Sequence, residues 1–403
     1  MRVVIAHNAY QQKGGEDSVV ESEAALLRGR GDEVAMYSRH NDEIAGKSPV
    51  ALAGQTIWSP RSEADVARLM ADFRPDVIHV HNTFPLISPS VYWAADKAGV
   101  PVVQTLHNFR LLCPQALFLR DGKVCEDCLG KLPWRGVVRA CYRGSMAQSA
   151  IAGGMLVLHR AIGTYSAKVT RYVALNEFCR KKFIEGGLPA ERISVKPNFA
   201  DVSAADQGLR QGGLFVGRLS DEKGIDVLLH AMDRVPGCRL NVIGSGPKDA
   251  AISSHSNIQR LGFLRRDEIF RHMQTAAYLI MPSIWYETFG MVAVEAFACG
   301  LPVIASRMGG MADLIEHGRT GLLFEPGSAE DLAKKIVWAE ANPAAMLEMG
   351  RHARSEYEAK YTPERNYRQL MAIYADAIAE RKPGGQDRRA VESDQRNPLR
   401  ASE

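Results

Sequence analysis

Gly213-Leu-Phe-Val-Gly217-Arg-Leu-Ser-Asp-Glu-Lys223-Gly-Ile-Asp-Val-Leu-Leu-His-Ala-Met232 is a short apolar run, a polar turn and an amphipathic stretch in direct succession. Gly213 to Gly217 suits one buried strand. A helix pattern follows through Val227, Leu228, Leu229 and Met232, so the segment predicts strand, tight turn and helix. A strand this apolar on both faces belongs in a parallel sheet covered by helices on each side.

The same unit recurs in both directions. Arg2 to His7, Glu33 to Tyr37, Asp76 to Val80, Pro101 to Leu106 and Thr170 to Ala174 read as strands of a first sheet. Arg239 to Ile243, Ile258 to Leu261, Tyr278 to Met281 and Pro302 to Ala305 join Gly213 to Gly217 in a second. The expected fold class is α/β, with two Rossmann-like doubly wound domains facing a cleft. Periodicity is lost and turn formers gather near 198–211, which sets the domains at 1–205 and 206–380. Arg365 to Ile378 predicts a last helix free to cross back. Residues 382–403 carry almost no large apolar side chains and are expected to be a disordered tail.

The 403 residues are 46% hydrophobic and 24% charged, the balance of a globular protein with ample core. A net charge of +4 is too weak to mark a nucleic-acid binder, so no nucleic-acid partner is expected. The apolar run after Met1 is too short for a secretory leader. Ala150 to Leu158 falls far short of the roughly 20 residues a membrane span needs. A cytoplasmic protein is expected, with peripheral contact to the inner face of the plasma membrane left open. Seven cysteines, an odd number, argue for thiols or a metal rather than a disulfide framework.

Ser220 is placed to cap the helix after the first strand of the second half, with Asp221 and Glu222 in its first turn. A cation at Lys223 works against the helix dipole there. Arg218, Lys223 and the free amides either converge on an anion such as phosphate or are solvated cations paired with Asp221 and Glu222. Pro282-Ser-Ile-Trp-Tyr-Glu287-Thr-Phe-Gly290-Met291-Val292-Ala-Val-Glu295 favours the anion. Thr288 can cap a helix from Phe289, which points its N-terminus at the sheet's carboxyl edge, where such folds bind ligands. Eight residues of helix span about 12 Å, beyond the roughly 5 to 9.5 Å of a glycosidase carboxylate pair. Glu287 and Glu295 therefore suit two hydroxyl-bearing parts of one extended ligand.

These residues resemble the retaining glycosyltransferases of family 4, which have the GT-B fold. The resemblance is carried by Glu287-x7-Glu295 with its Phe-Gly-Met-Val continuation, the Arg218-x4-Lys223 pair, Gly244-Ser-Gly246-Pro247 and Gly14-Gly15-Glu16. It implies that Arg218 and Lys223 bind the distal phosphate of a nucleotide-sugar donor (a UDP- or GDP-sugar), Glu287 the transferred sugar and Glu295 the ribose. Gly217, Gly244 and the amides from Gly290 through Met291 to Val292 would line the donor. Catalysis would need no cofactor and no metal, and would retain configuration by front-face attack. The acceptor would be a glycan or lipid-linked glycan, in surface or exopolysaccharide assembly.

In the first half, Gly15 follows the opening strand and its amide is expected to face the donor, against a plain tight turn. His107 matches a family position that faces the transferred sugar, while His81 and Asn82 are expected on the acceptor side. Cys113, Cys125, Cys128 and Cys141 have the central Cys-x-x-Cys of a structural zinc site, against reduced free thiols. Cys179, Cys238 and Cys299 are expected to be buried within helix or strand. The enclosing insertion, 110–145, holds seven basic and three acidic residues with Leu117, Phe118, Leu119, Leu132, Trp134 and Val138 interleaved. It reads as a flap over the acceptor site touching anionic lipid, or as a solvated surface insertion. Two other functions are weighed: a non-catalytic nucleotide-sugar-binding subunit, and a dinucleotide-dependent oxidoreductase, whose third fingerprint glycine is missing after Gly246.

Overall fold

The computed structural model describes residues 1–202, 210–252 and 255–381. The expected tail and part of the expected linker lie outside these. The first half carries β1 (Arg2–Ala9), β2 (Glu33–His40), β3 (Val77–Asn82), β4 (Val102–Thr105), a small hairpin of β5 (Leu119–Arg120) and β6 (Lys123–Val124), β7 (Arg171–Ala174) and β8 (Ile193–Val195). The second half carries β9 (Gly213–Val216), β10 (Leu240–Ile243), β11 (Ile258–Gly262), β12 (Tyr278–Met281), β13 (Val303–Ser306) and β14 (Gly321–Phe324).

Two six-stranded sheets result, in the orders β2-β1-β3-β4-β7-β8 and β11-β10-β9-β12-β13-β14, with parallel pairing throughout. This is the GT-B arrangement. The winding direction reverses between β1 and β3 in the first sheet and between β9 and β12 in the second. At such a point the loops leaving the two strands part to opposite faces and open a crevice. The loops after β9 and β12 are the two stretches that carry Arg218, Lys223 and Glu287.

All ten expected strands form, within a few residues of the expected ends. The edge strands β8 and β14 and the two-residue strands β5 and β6 were not among those expected. The last helix, Pro363–Arg381, returns to the first sheet: Leu370, Ile373, Tyr374 and Ala377 pack with Val3, Ile5, Val77, Val103 and Val173. Among the described residues no helix is long and apolar enough to cross a membrane.

Candidate active site at the carboxyl edges of the two sheets

The centre of the site is a salt bridge between the two loops of the second sheet. Lys223 Nζ donates to Glu287 Oε1 at 2.5 Å, and the same oxygen accepts from Ser283 Oγ at 2.8 Å and Trp285 Nε1 at 3.0 Å. Glu287 is buried, and no described residue donates to its Oε2, which is left for a ligand. The loops are stitched by Ile284 N donating to Glu222 O at 3.1 Å. Gly224 lies between them at φ +72°, where a Cβ would stand 1.9 Å from Pro282 O, so only glycine fits. Gly244 is constrained in the same way: a Cβ there would lie 1.9 Å from Gly217 O, which holds the turns after β9 and β10 together.

Ser220 does not cap a helix. Its hydroxyl donates to Glu222 Oε1 at 2.7 Å, Asp221–Lys223 form a single 3-10 turn, and the helix proper is Ile225–Met232. Lys223 thus precedes the helix rather than lying in its first turn, and its charge there is met by Glu287. Arg218 pairs with Glu222 and leaves 63% of its side chain exposed beside the crevice.

Thr288 is not a cap either. The helix is Met291–Ala298, led by Gly290 in a left-handed conformation, so Met291 and Val292 open it with free amides. Thr288 Oγ1 instead donates to His107 O at 2.7 Å, and Thr288 O accepts from Asn176 Nδ2 at 2.7 Å, two bonds between the halves. Glu295 lies inward on this helix. Burial pushes its carboxyl up to about 7, against the pull of Arg266 at 3.5 Å.

On the facing half, Gly14 leads the helix Gly15–Gly29, and the space where a Cβ of Gly15 would stand is open. The loop is held by Asp17, whose carboxylate takes His7 Nε2 at 2.8 Å and Gly14 N at 2.7 Å. Glu16 accepts from Asn108 Nδ2 at 2.6 Å and Tyr10 Oη at 2.9 Å, and burial raises its carboxyl above the usual range. His107 is buried and bonded through Nε2 to His81 Nδ1 at 2.8 Å. Asn82 is buried, its amide donating to Asn8 O at 3.0 Å and accepting from Phe84 N at 3.0 Å, so both its polar atoms serve the turn.

Cys113, Cys125, Cys128 and Cys141 line one cavity with Gly136 and Arg139. Burial raises the thiols of Cys128 and Cys141. Zinc is not supported. A tetrahedral site with bonds of about 2.3 Å brings its sulfurs within about 4 Å of one another, whereas among the described residues only Glu23, His79 and His81 bring three ligand atoms within 4.8 Å. Cys179 is buried as expected, but Cys238 sits half-buried in a turn and Cys299 half-buried at the end of its helix. The flap divides: Phe118 is core, its ring tilted 40° to that of Phe109 with centroids 4.8 Å apart, and Leu117 and Leu119 are half-buried, while Leu132, Trp134 and Val138 stay exposed.

Sequence reasoning missed Ser283 and Trp285, which complete the cradle of Glu287, and Gly310, whose amide donates to Glu287 O at 2.9 Å. The Gly309-Gly310 pair opening a helix after β13 was the available signal. It also missed Glu23 and Lys196, a fully buried ion pair at 3.0 Å, because neither sits in a local pattern.

The family description "Glycosyl transferases group 1" matches residues 213–356, and "Glycosyl transferase 4-like domain" matches residues 14–198. The sulfoquinovosyl transferase SQD2 of Arabidopsis thaliana is 27% identical over 86% of this chain and 69% of its own length. The D-inositol 3-phosphate glycosyltransferase of Mycobacteroides abscessus is 28% identical over 79% of this chain and 70% of its own. Sucrose-phosphate synthase of Thermosynechococcus elongatus superposes with a TM-score of 0.69 at 18% identity, covering 94% of this chain and 99% of that one. Anabaena HepE, in complex with UDP and glucose, gives 0.65 at 18% identity over 93% of this chain and 100% of that one.

Proposed function

From the premise that the chain belongs to the glycosyl transferases group 1, as a retaining, metal-independent GT-B hexosyltransferase with a nucleotide-sugar donor, we propose that it moves a hexose from a UDP-sugar to a lipid-linked glycan in surface polysaccharide assembly. The alternatives of a non-catalytic binding subunit and of an oxidoreductase fall with that membership. UDP rather than GDP is favoured by HepE, whose structure holds UDP and glucose.

The observation that carries the site assignment is the Lys223–Glu287 bridge at the reversal point of the second sheet, with Arg218 beside it. As the glycosidic bond stretches, negative charge gathers on the departing phosphate and positive charge on the sugar ring. Lys223 and Arg218 meet the first. Glu287, with Oε1 saturated by three donors, offers Oε2 to a sugar hydroxyl and so orients the ring. Preorganised groups of this type are worth about 2.7 to 4 kcal/mol in the barrier. The acceptor hydroxyl attacks from the same face as the leaving phosphate, which takes its proton, and configuration is retained. The carboxylate of Glu295 suits the ribose hydroxyls, and the amides of Met291 and Val292 suit phosphate.

The lipid-linked acceptor is favoured by the exposed Leu132, Trp134, Val138 and Met146, each more than half exposed, among Lys131, Arg135, Arg139 and Arg143. Such a basic, apolar surface suits the interface of an anionic leaflet. The test is nucleoside diphosphate release over a panel of UDP- and GDP-sugars, with and without lipid-linked glycan. One preferred UDP-sugar, with release abolished in Glu287→Ala, is expected. A GDP-sugar preference would overturn the choice of base, and release indifferent to Glu287 would overturn the site.

A further inference from the structure

Behind His107 the first half buries a chain of groups that no substrate can reach. Glu23, on the helix Gly15–Gly29, is 1% exposed. Its Oε2 accepts from Lys196 Nζ at 3.0 Å, and its Oε1 faces His79 Nδ1 at 2.9 Å and His81 Nε2 at 3.4 Å. His81 Nδ1 lies 2.8 Å from His107 Nε2, with the two rings stacked at 5.1 Å. The order is carboxylate, imidazole, imidazole, cleft.

A bond between two ring nitrogens needs a hydrogen on one and a lone pair on the other. Lys196 keeps Glu23 ionised. Neither Glu23 Oε1 nor His81 Nε2 closes a hydrogen bond of good geometry, but the negative charge 3.4 Å away favours the hydrogen of His81 on Nε2, the nitrogen facing the carboxylate. Its Nδ1 then has the lone pair, and His107 must donate from Nε2. The lone pair of His107 is left on Nδ1, a nitrogen that bonds to no described residue.

We propose that Glu23 and His81 are positioning residues that fix His107 as the Nε2-protonated tautomer, so that His107 Nδ1 accepts a hydrogen bond from a substrate hydroxyl. This rests on the cleft being the donor site. The protonation states agree. Burial, with His79 adding to it, pushes His81 down to about 3, and burial holds His107 well below the ordinary imidazole range. Glu23 stays well below the carboxylate range although burial opposes it, because Lys196 and His79 outweigh burial. Also against the chain are His7, bonded to Asp17, Tyr374 of the last helix, 2.8 Å from His79 Nδ1, Thr105, whose hydroxyl lies 2.8 Å from His79 Nε2, and Asn366, whose Oδ1 accepts from Lys196 at 3.2 Å. Glu23, His79 and His81 could otherwise be read as metal ligands. Against that, Lys196 already supplies the countercharge to their single carboxylate, and a divalent ion there would sit against an ammonium.

Long-range 1H–15N spectra of the full chain labelled at histidine, with His107 assigned through His107→Asn, read the protonated nitrogen directly. The expected result is a neutral, Nε2-protonated His107 from pH 6 to 8. It should persist in His81→Asn, whose Oδ1 can replace the lost acceptor, and give way to mixed tautomers in His81→Leu and Glu23→Gln. Turnover should fall at least tenfold in His81→Leu with donor KM changed less than threefold, and recover in His81→Asn. A wild-type His107 protonated on Nδ1, or cationic at pH 7, overturns the inference, as do equal turnovers in His81→Leu and His81→Asn. If His81→Leu does not fold, the wild-type, His81→Asn and Glu23→Gln spectra still decide. UDP binding to wild type and to Lys223→Met, measured alongside, bears on the donor site alone, so failure of the site and failure of the tautomer are read separately.

Discussion

Thr288 Oγ1 donates to the main-chain carbonyl of His107 at 2.7 Å, joining the loop after β12 to the strand end after β4. The bond holds the Glu287 loop against the facing half beside His107. Thr288→Val keeps the shape and removes one neutral hydrogen bond, worth about 1 kcal/mol. The expected result is kcat/KM about fivefold lower, restored in Thr288→Ser. Equal kcat/KM in the two variants would show that the bond does not hold the cleft in its active geometry.

The two cations of the site are held unequally. Lys223 is 27% exposed and fixed on Glu287, whereas Arg218 is 63% exposed and screened by solvent and by Glu222. Lys223→Met should therefore lower the rate of donor cleavage by about 10²- to 10³-fold, the loss typical of one preorganised donor. Arg218→Ala should cost closer to tenfold. Single-turnover release of nucleoside diphosphate measures both, and a larger loss in Arg218→Ala would reverse the assigned weights.

The two sheets were legible because their central strands, such as β1, β3, β9, β12 and β13, are dense apolar runs separated by helical stretches. The convergence of Lys223 with Glu287, and of Arg218 beside them, was legible because these residues fall in the loops after β9 and β12, so local sequence carries the geometry. The capping expectations for Ser220 and Thr288 failed for one reason. A hydroxyl before a helix pattern predicts a cap only when no stronger partner is near, and here Glu222 and the carbonyl of His107 take the hydroxyls. Glu23, Lys196 and His81 meet across 173 and 58 positions of chain, so no spacing rule reaches them. The cysteines failed differently: their spacing is compatible with a metal site, and sulfur positions are set by the packing of the insertion.

Glu295 makes stability depend on pH, and its proposed contact with the donor ribose would make nucleotide binding depend on pH in the opposite direction. Burial raises its folded value from the ordinary 4.5 to about 7, so between these values the folded chain keeps a proton that the unfolded chain releases. Its contribution to stability is complete below about 4.5 and is lost as pH rises through 7. Glu295→Gln should thus raise the urea midpoint relative to wild type at pH 8 and leave it little changed at pH 5. If the ionised carboxylate accepts the ribose hydroxyls, wild-type affinity for UDP should rise several-fold from pH 6 to 8, and the variant should show no such rise. Parallel pH profiles in wild type and variant would detach Glu295 from the nucleotide.

The exposed part of the flap should bind anionic membrane, and its own ion pairs bound the effect. A basic residue near an anionic leaflet is worth about 1 kcal/mol. Arg139 is paired with Asp127, however, and Arg135 lies 3.7 Å from the same carboxylate. Replacing Arg135, Arg139 and Arg143 by Gln should then weaken binding to phosphatidylserine-containing vesicles by about tenfold to a hundredfold, less than three free charges would give. Trp134→Ala should weaken it further by removing apolar area that enters the headgroup boundary. Donor hydrolysis in solution should be unchanged, because none of these side chains touches Lys223 or Glu287. Vesicle sedimentation at two salt concentrations checks this, and binding unaffected by salt and by all four changes would leave the flap a solvated insertion.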